Sequence, residues 1–74
     1  DKVVFGATVH LETAAGEEVV YRIVGEQEAD IRLNLISITS PIARALVGKS
    51  AGDEVHVAVP GGIRSYEIVI VRYE

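Results

Sequence analysis

Few residues in this chain have the chemistry to act on a substrate, and their spacing argues against most reactions. His10 and His56 sit at outward positions of alternating strand patterns, with no cysteine or third histidine to complete a zinc set. They read as surface histidines. Ser40, Asp53 and His56 supply the residue types of a nucleophilic triad. However, no G-x-S-x-G elbow surrounds the serine, and its place before Pro41 suits a helix cap better. Glu26, Glu28 and Asp30 alternate like the start of a calcium loop, but that loop's sixth-position glycine and twelfth-position glutamate are missing. A solvated acidic loop is the simpler reading. Pro60-Gly61-Gly62 is followed by neither Lys-Ser nor Lys-Thr and lies between two strand patterns, so it reads as a hairpin turn rather than a phosphate cradle. These residues point away from an enzyme and imply no metal or cofactor.

The stretch with the clearest local instructions is ISITSPIARALV, Ile36 to Val47. Ile36 and Ile38 alternate with Ser37 and Thr39, which is a strand pattern. The period then changes. The Ser40 hydroxyl can accept from an orphan amide of a first helical turn, and Pro41 at the first helical position loses nothing by lacking an N–H. Ile42, Ala45 and Leu46 are expected on one face, Arg44 lies opposite them, and Gly48 supplies a stop. A helix of about two turns is marginal alone, so its apolar face must pack onto a sheet.

The flanking elements supply that sheet. Thr8 to Thr13 alternates with Val9 and Leu11 on one face; Ala14-Ala15-Gly16 is a turn; Glu17 to Val24 carries Val19, Tyr21 and Ile23 on one face, and the two strands should pair as a hairpin. Gly25 to about Asn34 is an acidic loop without a regular pattern. Val55, Val57 and Val59 face inward along Glu54 to Val59. Ile63 to Tyr73 is apolar on both faces, with Ile68 and Ile70 on one and Val69 and Val71 on the other, as in a central strand covered by the helix. The expected fold class is α+β, a mainly antiparallel twisted sheet of about five strands wrapped on one short helix.

Composition sets the outer limits. Seventy-four residues make a single domain that buries roughly 60% of its unfolded surface. With 49% hydrophobic and 24% charged residues the chain should fold rather than remain disordered. Eleven Asp and Glu against seven Lys and Arg give a net charge of −4, which offers no broad attraction for a phosphate backbone, although Arg22, Arg32, Arg44, Arg64 and Arg72 could form local patches. Four scattered aromatics and no Trp make a poor stacking platform for single strands. Without cysteine, a secretion signal or an apolar run long enough to span a bilayer, the expectation is a cytoplasmic protein with no direct membrane contact. A chain that begins on Asp1 reads as a fragment or a processed product.

Four blocks now stand in order: VVFGATV (Val3 to Val9), YRIVGEQEAD (Tyr21 to Asp30), NLISITSPIARALVGKSAGDEV (Asn34 to Val55) and VPGGIRSYEI (Val59 to Ile68). Together they resemble the C-terminal domain of the Gre family of bacterial transcript-cleavage and elongation factors, on its GreA-like side. The resemblance covers residues 1–74 as one domain and implies an FKBP-like fold. It also implies a docking role. In that family the C-terminal domain attaches to the rim of the RNA polymerase secondary channel. An N-terminal coiled coil, for which these residues hold no heptad pattern, reaches inward to stimulate cleavage of backtracked RNA. Nucleic acid would then be met indirectly, through the transcription complex.

Carried over by position, the polymerase-binding residues implied are Thr39, Ser40, Pro41, Ile42 and Arg44. The family usually has Asn or Asp where this chain has Thr39, so a hydroxyl replaces an amide or a charge. Two alternatives accompany the resemblance. One is a stand-alone polymerase regulator without cleavage activity. The other is a prolyl isomerase of the FKBP type, which the missing Trp and the few aromatic rings disfavour.

Overall fold

The computed structural model describes residues 2–73, and its order of elements follows the sequence patterns closely. Strand β1 (Thr8–Thr13) and strand β2 (Glu18–Val24) form the first hairpin, closed by a turn in which Gly16 takes a φ of +84°. A short strand β3 (Leu35–Ser37) leads into helix α1 (Pro41–Leu46), and β4 (Glu54–Val59) and β5 (Gly62–Arg72) form the second hairpin. Pro60 and Gly61 are its two loop residues, and the φ of +133° at Gly62 is open to glycine. The acidic loop holds order of its own, a 3-10 turn at Ile31–Leu33 capped by the Asp30 side chain and closed by Asn34 at φ 58°.

The five strands lie in the order β3-β2-β1-β5-β4. Neighbours are antiparallel except β2 and β3, which run parallel with Ile23 opposite Ile36, so the sheet is mixed. The chain leaves β3 at one edge, passes through α1, and enters β4 at the other. The helix packs against both of these edge strands. Ala43 and Leu46 of the helix share the core with Ile68 of β5, the covered central strand that the sequence leads one to expect. An element about 9 Å long can touch both edges of a five-stranded sheet only if the sheet curls around it.

A bulge in β5 assists that curl. His10 pairs with Ile70 but Leu11 pairs with Ile68, leaving Val69 unmatched. The side-chain alternation therefore changes phase. Tyr66, Ile68 and Val71 face the core, whereas Val69 and Ile70 are exposed, which corrects the pairing of Ile68 with Ile70 on one inward face. The helix face differs by one residue as well. Ala43 and Leu46 are fully buried and Ile42 half-buried, so Ala43 rather than Ala45 contributes the small contact that lets the helix approach the sheet.

The core is apolar throughout, built from Val9 and Leu11 of β1, Ile23 of β2, Ile36 of β3, Val55 of β4 and Ile68 of β5 around Ala43 and Leu46. Val3 joins it from the N-terminal segment, which is stitched to the end of the helix by Val3 N–H to Lys49 O (2.7 Å) and Gly48 N–H to Val3 O (2.9 Å). Leu46→Ala removes a fully buried side chain at the meeting point of both edges. It should lower unfolding free energy by about 2–5 kcal/mol, read as a fall in the urea midpoint at unchanged slope.

Candidate docking site

The residues Thr39 to Arg44 come together as one exposed corner between β3 and α1. The chain leaves β3 through Ile38, whose N–H donates to Val24 O at 2.8 Å, and turns through Ser40 N–H to Ser37 O at 2.9 Å. Ser40 then caps the helix as its sequence predicts. Its backbone is extended (φ −68°, ψ 154°), its Oγ accepts from Ala43 N–H at 3.2 Å, and Pro41 follows within the first turn. Thr39, Pro41 and Arg44 are exposed, Ser40 and Ile42 half-buried.

A second set of bonds fixes Thr39. Its N–H donates to Ser37 Oγ at 3.1 Å, the two hydroxyls lie 2.8 Å apart, and Thr39 Oγ1 donates to Glu26 Oε2 at 3.0 Å. A hydroxyl has one proton. With that of Thr39 committed to the carboxylate, the bond between the hydroxyls takes its proton from Ser37.

Ile42 links this corner to a feature that the sequence pattern did not reveal. Between the helix start and the second hairpin lies an open cleft of about 520 Å³, lined by Tyr21, Ile42, Val57, Val59, the Pro60–Gly62 turn, Ile63, Arg64 and Tyr66. It is the mouth of the curled sheet that the short helix does not fill. The available signal was the pair of inward tyrosines, too wet at one end for a closed core, next to two residues without side chains at Gly61 and Gly62. Burial raises the pKa of the Tyr21 phenol, and nearby Tyr66 adds to the rise when ionised, while Arg64 opposes it.

The other candidates are dispersed. His10 Nδ1 stands 3.8 Å from Glu18, and His56 bonds Ser65 through Nδ1 at 2.9 Å with Glu54 3.9 Å from its other nitrogen. Asp53 accepts from Ser50 N–H at 2.8 Å, so Ser40, Asp53 and His56 each serve a different local structure and form no triad. Among the described residues no three His, Cys, Asp or Glu side chains converge on a metal position. Asp30 is engaged by Arg32 (3.1 Å), whose hydrogen bonds lower its pKa. Of the arginines, the register sets Arg22 and Arg72 on either side of Thr8, while Arg44 and Arg64 lie on the helix and in the cleft. Among the described residues no helix is long and apolar enough to cross a membrane.

Comparison with known proteins resolves the family. The model for the C-terminal region of the transcription elongation factors GreA and GreB matches residues 1–73. The chain belongs to the GreA/GreB family. It is 66% identical to the transcription elongation factor GreA of Halorhodospira halophila, an alignment that takes in 99% of this chain and 47% of that protein. The chain thus spans about half the length of the curated relatives it matches. Among solved structures, GreA factor homolog 1 of Thermus thermophilus superposes with a TM-score of 0.86 at 29% identity, over 97% of this chain and 49% of its own. A GreA/GreB elongation factor from Nitrosomonas europaea gives 0.81 at 33%, over 96% and 60%. These neighbours bear out the α+β, FKBP-like fold of a transcription elongation factor domain.

Two measurements follow from the local geometry. Ser40→Ala removes the cap from Ala43 and should cost about 0.5–2 kcal/mol of unfolding free energy. Because burial keeps Tyr21 protonated longer when folded, its contribution to stability is complete below pH 10.0 and is lost as pH rises through its higher folded value. The ultraviolet difference titration, wild type minus Tyr21→Phe, should show a midpoint above 10.0 that falls in a Tyr66→Phe background.

Proposed function

We propose that this chain is the polymerase-docking domain of a GreA-like elongation factor, a binding module that performs no catalysis itself. The corner formed by Thr39, Ser40, Pro41, Ile42 and Arg44 is the contact surface, and its partner is bacterial RNA polymerase at the rim of the secondary channel. In this reading the remaining half of the full protein is the coiled coil that enters the channel and stimulates cleavage of backtracked RNA. RNA is reached indirectly, and the site of action is the bacterial cytoplasm.

The observation that carries the proposal is the corner itself. Its backbone is fixed by a cap and a hydroxyl network while Thr39, Pro41 and Arg44 face solvent, and Ile42 opens onto the cleft beside it. A fixed, exposed corner next to a recess of mixed polarity suits association with a large partner, because little side-chain or backbone freedom is lost on contact.

Retention of RNA polymerase on immobilised domain tests the site. The wild-type domain should retain polymerase, and Ser40→Glu combined with Pro41→Ala should reduce retention at least about tenfold, roughly 1.4 kcal/mol. Equal retention by both would remove the site assignment, and no retention by the wild type would remove the function.

A further inference from the structure

The turn between the three-residue edge strand and the six-residue helix leaves Thr39 exposed, so the order of this residue depends on the hydrogen bonds it makes. The bonds made by Ser37 and Ser40 are internal to the corner. The side chain that ties it to a distant part of the chain is Glu26, thirteen residues before Thr39, through the 3.0 Å bond from Thr39 Oγ1. Glu26 stands in the turn that follows β2, where Glu28 N–H donates to Gly25 O at 3.0 Å. Two residues earlier, Val24 O accepts from Ile38 N–H. The end of β2 thus grips two successive residues of the corner, Ile38 by backbone and Thr39 by side chain.

We propose that Glu26 is a positioning residue for the docking corner, presetting Thr39 and with it Ser40 and Pro41 before the partner arrives. This rests on the docking reading given above. An ionised carboxylate can only accept, so as the end of the chain Ser37 to Thr39 to Glu26 it fixes the direction of both hydroxyl protons. Without it the Thr39 proton can turn toward Ser37, the Ser37 hydroxyl is released, and the Ser37 Oγ that receives Thr39 N–H is no longer held in one orientation. Glu26 therefore acts through Thr39, and a side-chain amide in its place still offers an oxygen acceptor.

The test uses the whole chain with Glu26→Ala, Thr39→Val, the double variant and Glu26→Gln. NMR amide exchange at Thr39, Ser40 and Ala43 is measured without polymerase, and polymerase affinity separately. Glu26→Ala should speed exchange and weaken affinity roughly 3- to 10-fold, the loss of one hydrogen bond, and Thr39→Val at least as much, since it also loses the bond between the Ser37 and Thr39 hydroxyls. The double variant should add little to Thr39→Val, because that change already deletes the only bond that Glu26→Ala removes from the corner, and Glu26→Gln should stay near wild type. Unchanged exchange in Glu26→Ala, or additive effects in the double variant, overturns the proposal. So does a Glu26→Gln variant as impaired in binding as Glu26→Ala while its corner exchanges like wild type, since that assigns Glu26 to direct contact. Should Ser40→Glu with Pro41→Ala bind polymerase normally, the docking reading falls on its own account, and the exchange data still decide whether Glu26 holds the corner.

Discussion

One helix must reach both edges of one sheet, and the rest of the fold follows from that requirement. β3 pairs parallel to β2 at one edge and β4 pairs with β5 at the other, with α1 as the sole helical segment between them. A parallel neighbour cannot be reached by a tight turn, so the chain from β2 to β3 detours through the acidic loop and its 3-10 turn. A helix of six residues cannot cover a flat five-stranded sheet, and the sheet coils until Ala43 and Leu46 lie at the centre of its concave side. The bulge at Val69 supplies local twist where the two hairpins meet. The same shortage of helix leaves the mouth of the curl unfilled, and the cleft beside Ile42 is the result.

The polar groups of the described residues lie at the surface of the fold. No described residue combines burial with a polar or charged side chain, and the raised phenol of Tyr21 and the lowered carboxyl of Asp30 have local causes in burial and in an exposed ion pair. Active sites shift such groups by assembling them in a protected recess, where charge interactions are strong. Here hydrogen-bonding side chains lie at the rim and spend their capacity on backbone: Ser40 on the helix start, Asp30 on the 3-10 turn, Asp53 on the turn before β4. Side chains used in this way hold turns in shape.

How far the sequence foretold this depended on the range of the interaction. The Ser40 cap, the Pro60-Gly61 hairpin and the alternation of β1 and β4 are decided by residues within a few positions of one another, and each formed where its pattern placed it. The misplaced features are long-range. Whether Ala43 or Ala45 faces the core depends on which strands the helix crosses, and in so short a helix both fit an apolar stripe. Val69 falls out of register where β5 pairs with β1, which neither strand's own alternation records. The parallel pairing of β3 left no local trace, since Ile36 would be buried in either direction. For the proposed docking corner, residue identities carried the capped helix start, and the docking role is what the family resemblance implies. The Glu26 bond to Thr39 was hidden inside a run that read as a solvated acidic loop.

That acidic run shows why charge pattern alone misleads at the surface of a small domain. Glu26, Glu28 and Asp30 are alike in type and spacing, but the 3-10 turn separates their fates. Asp30 lies at the start of that turn and accepts from the backbone N–H and the guanidinium of Arg32. Glu26 lies just past β2, within reach of the next strand's exit because β2 and β3 run parallel and finish at the same end of the sheet. An antiparallel β3 would have carried Thr39 to the far end of β2, out of reach of any side chain in this loop. The strand direction that closes the fold thus also brings Glu26 beside the corner, so the geometry of the proposed docking surface and the topology of the core have one cause.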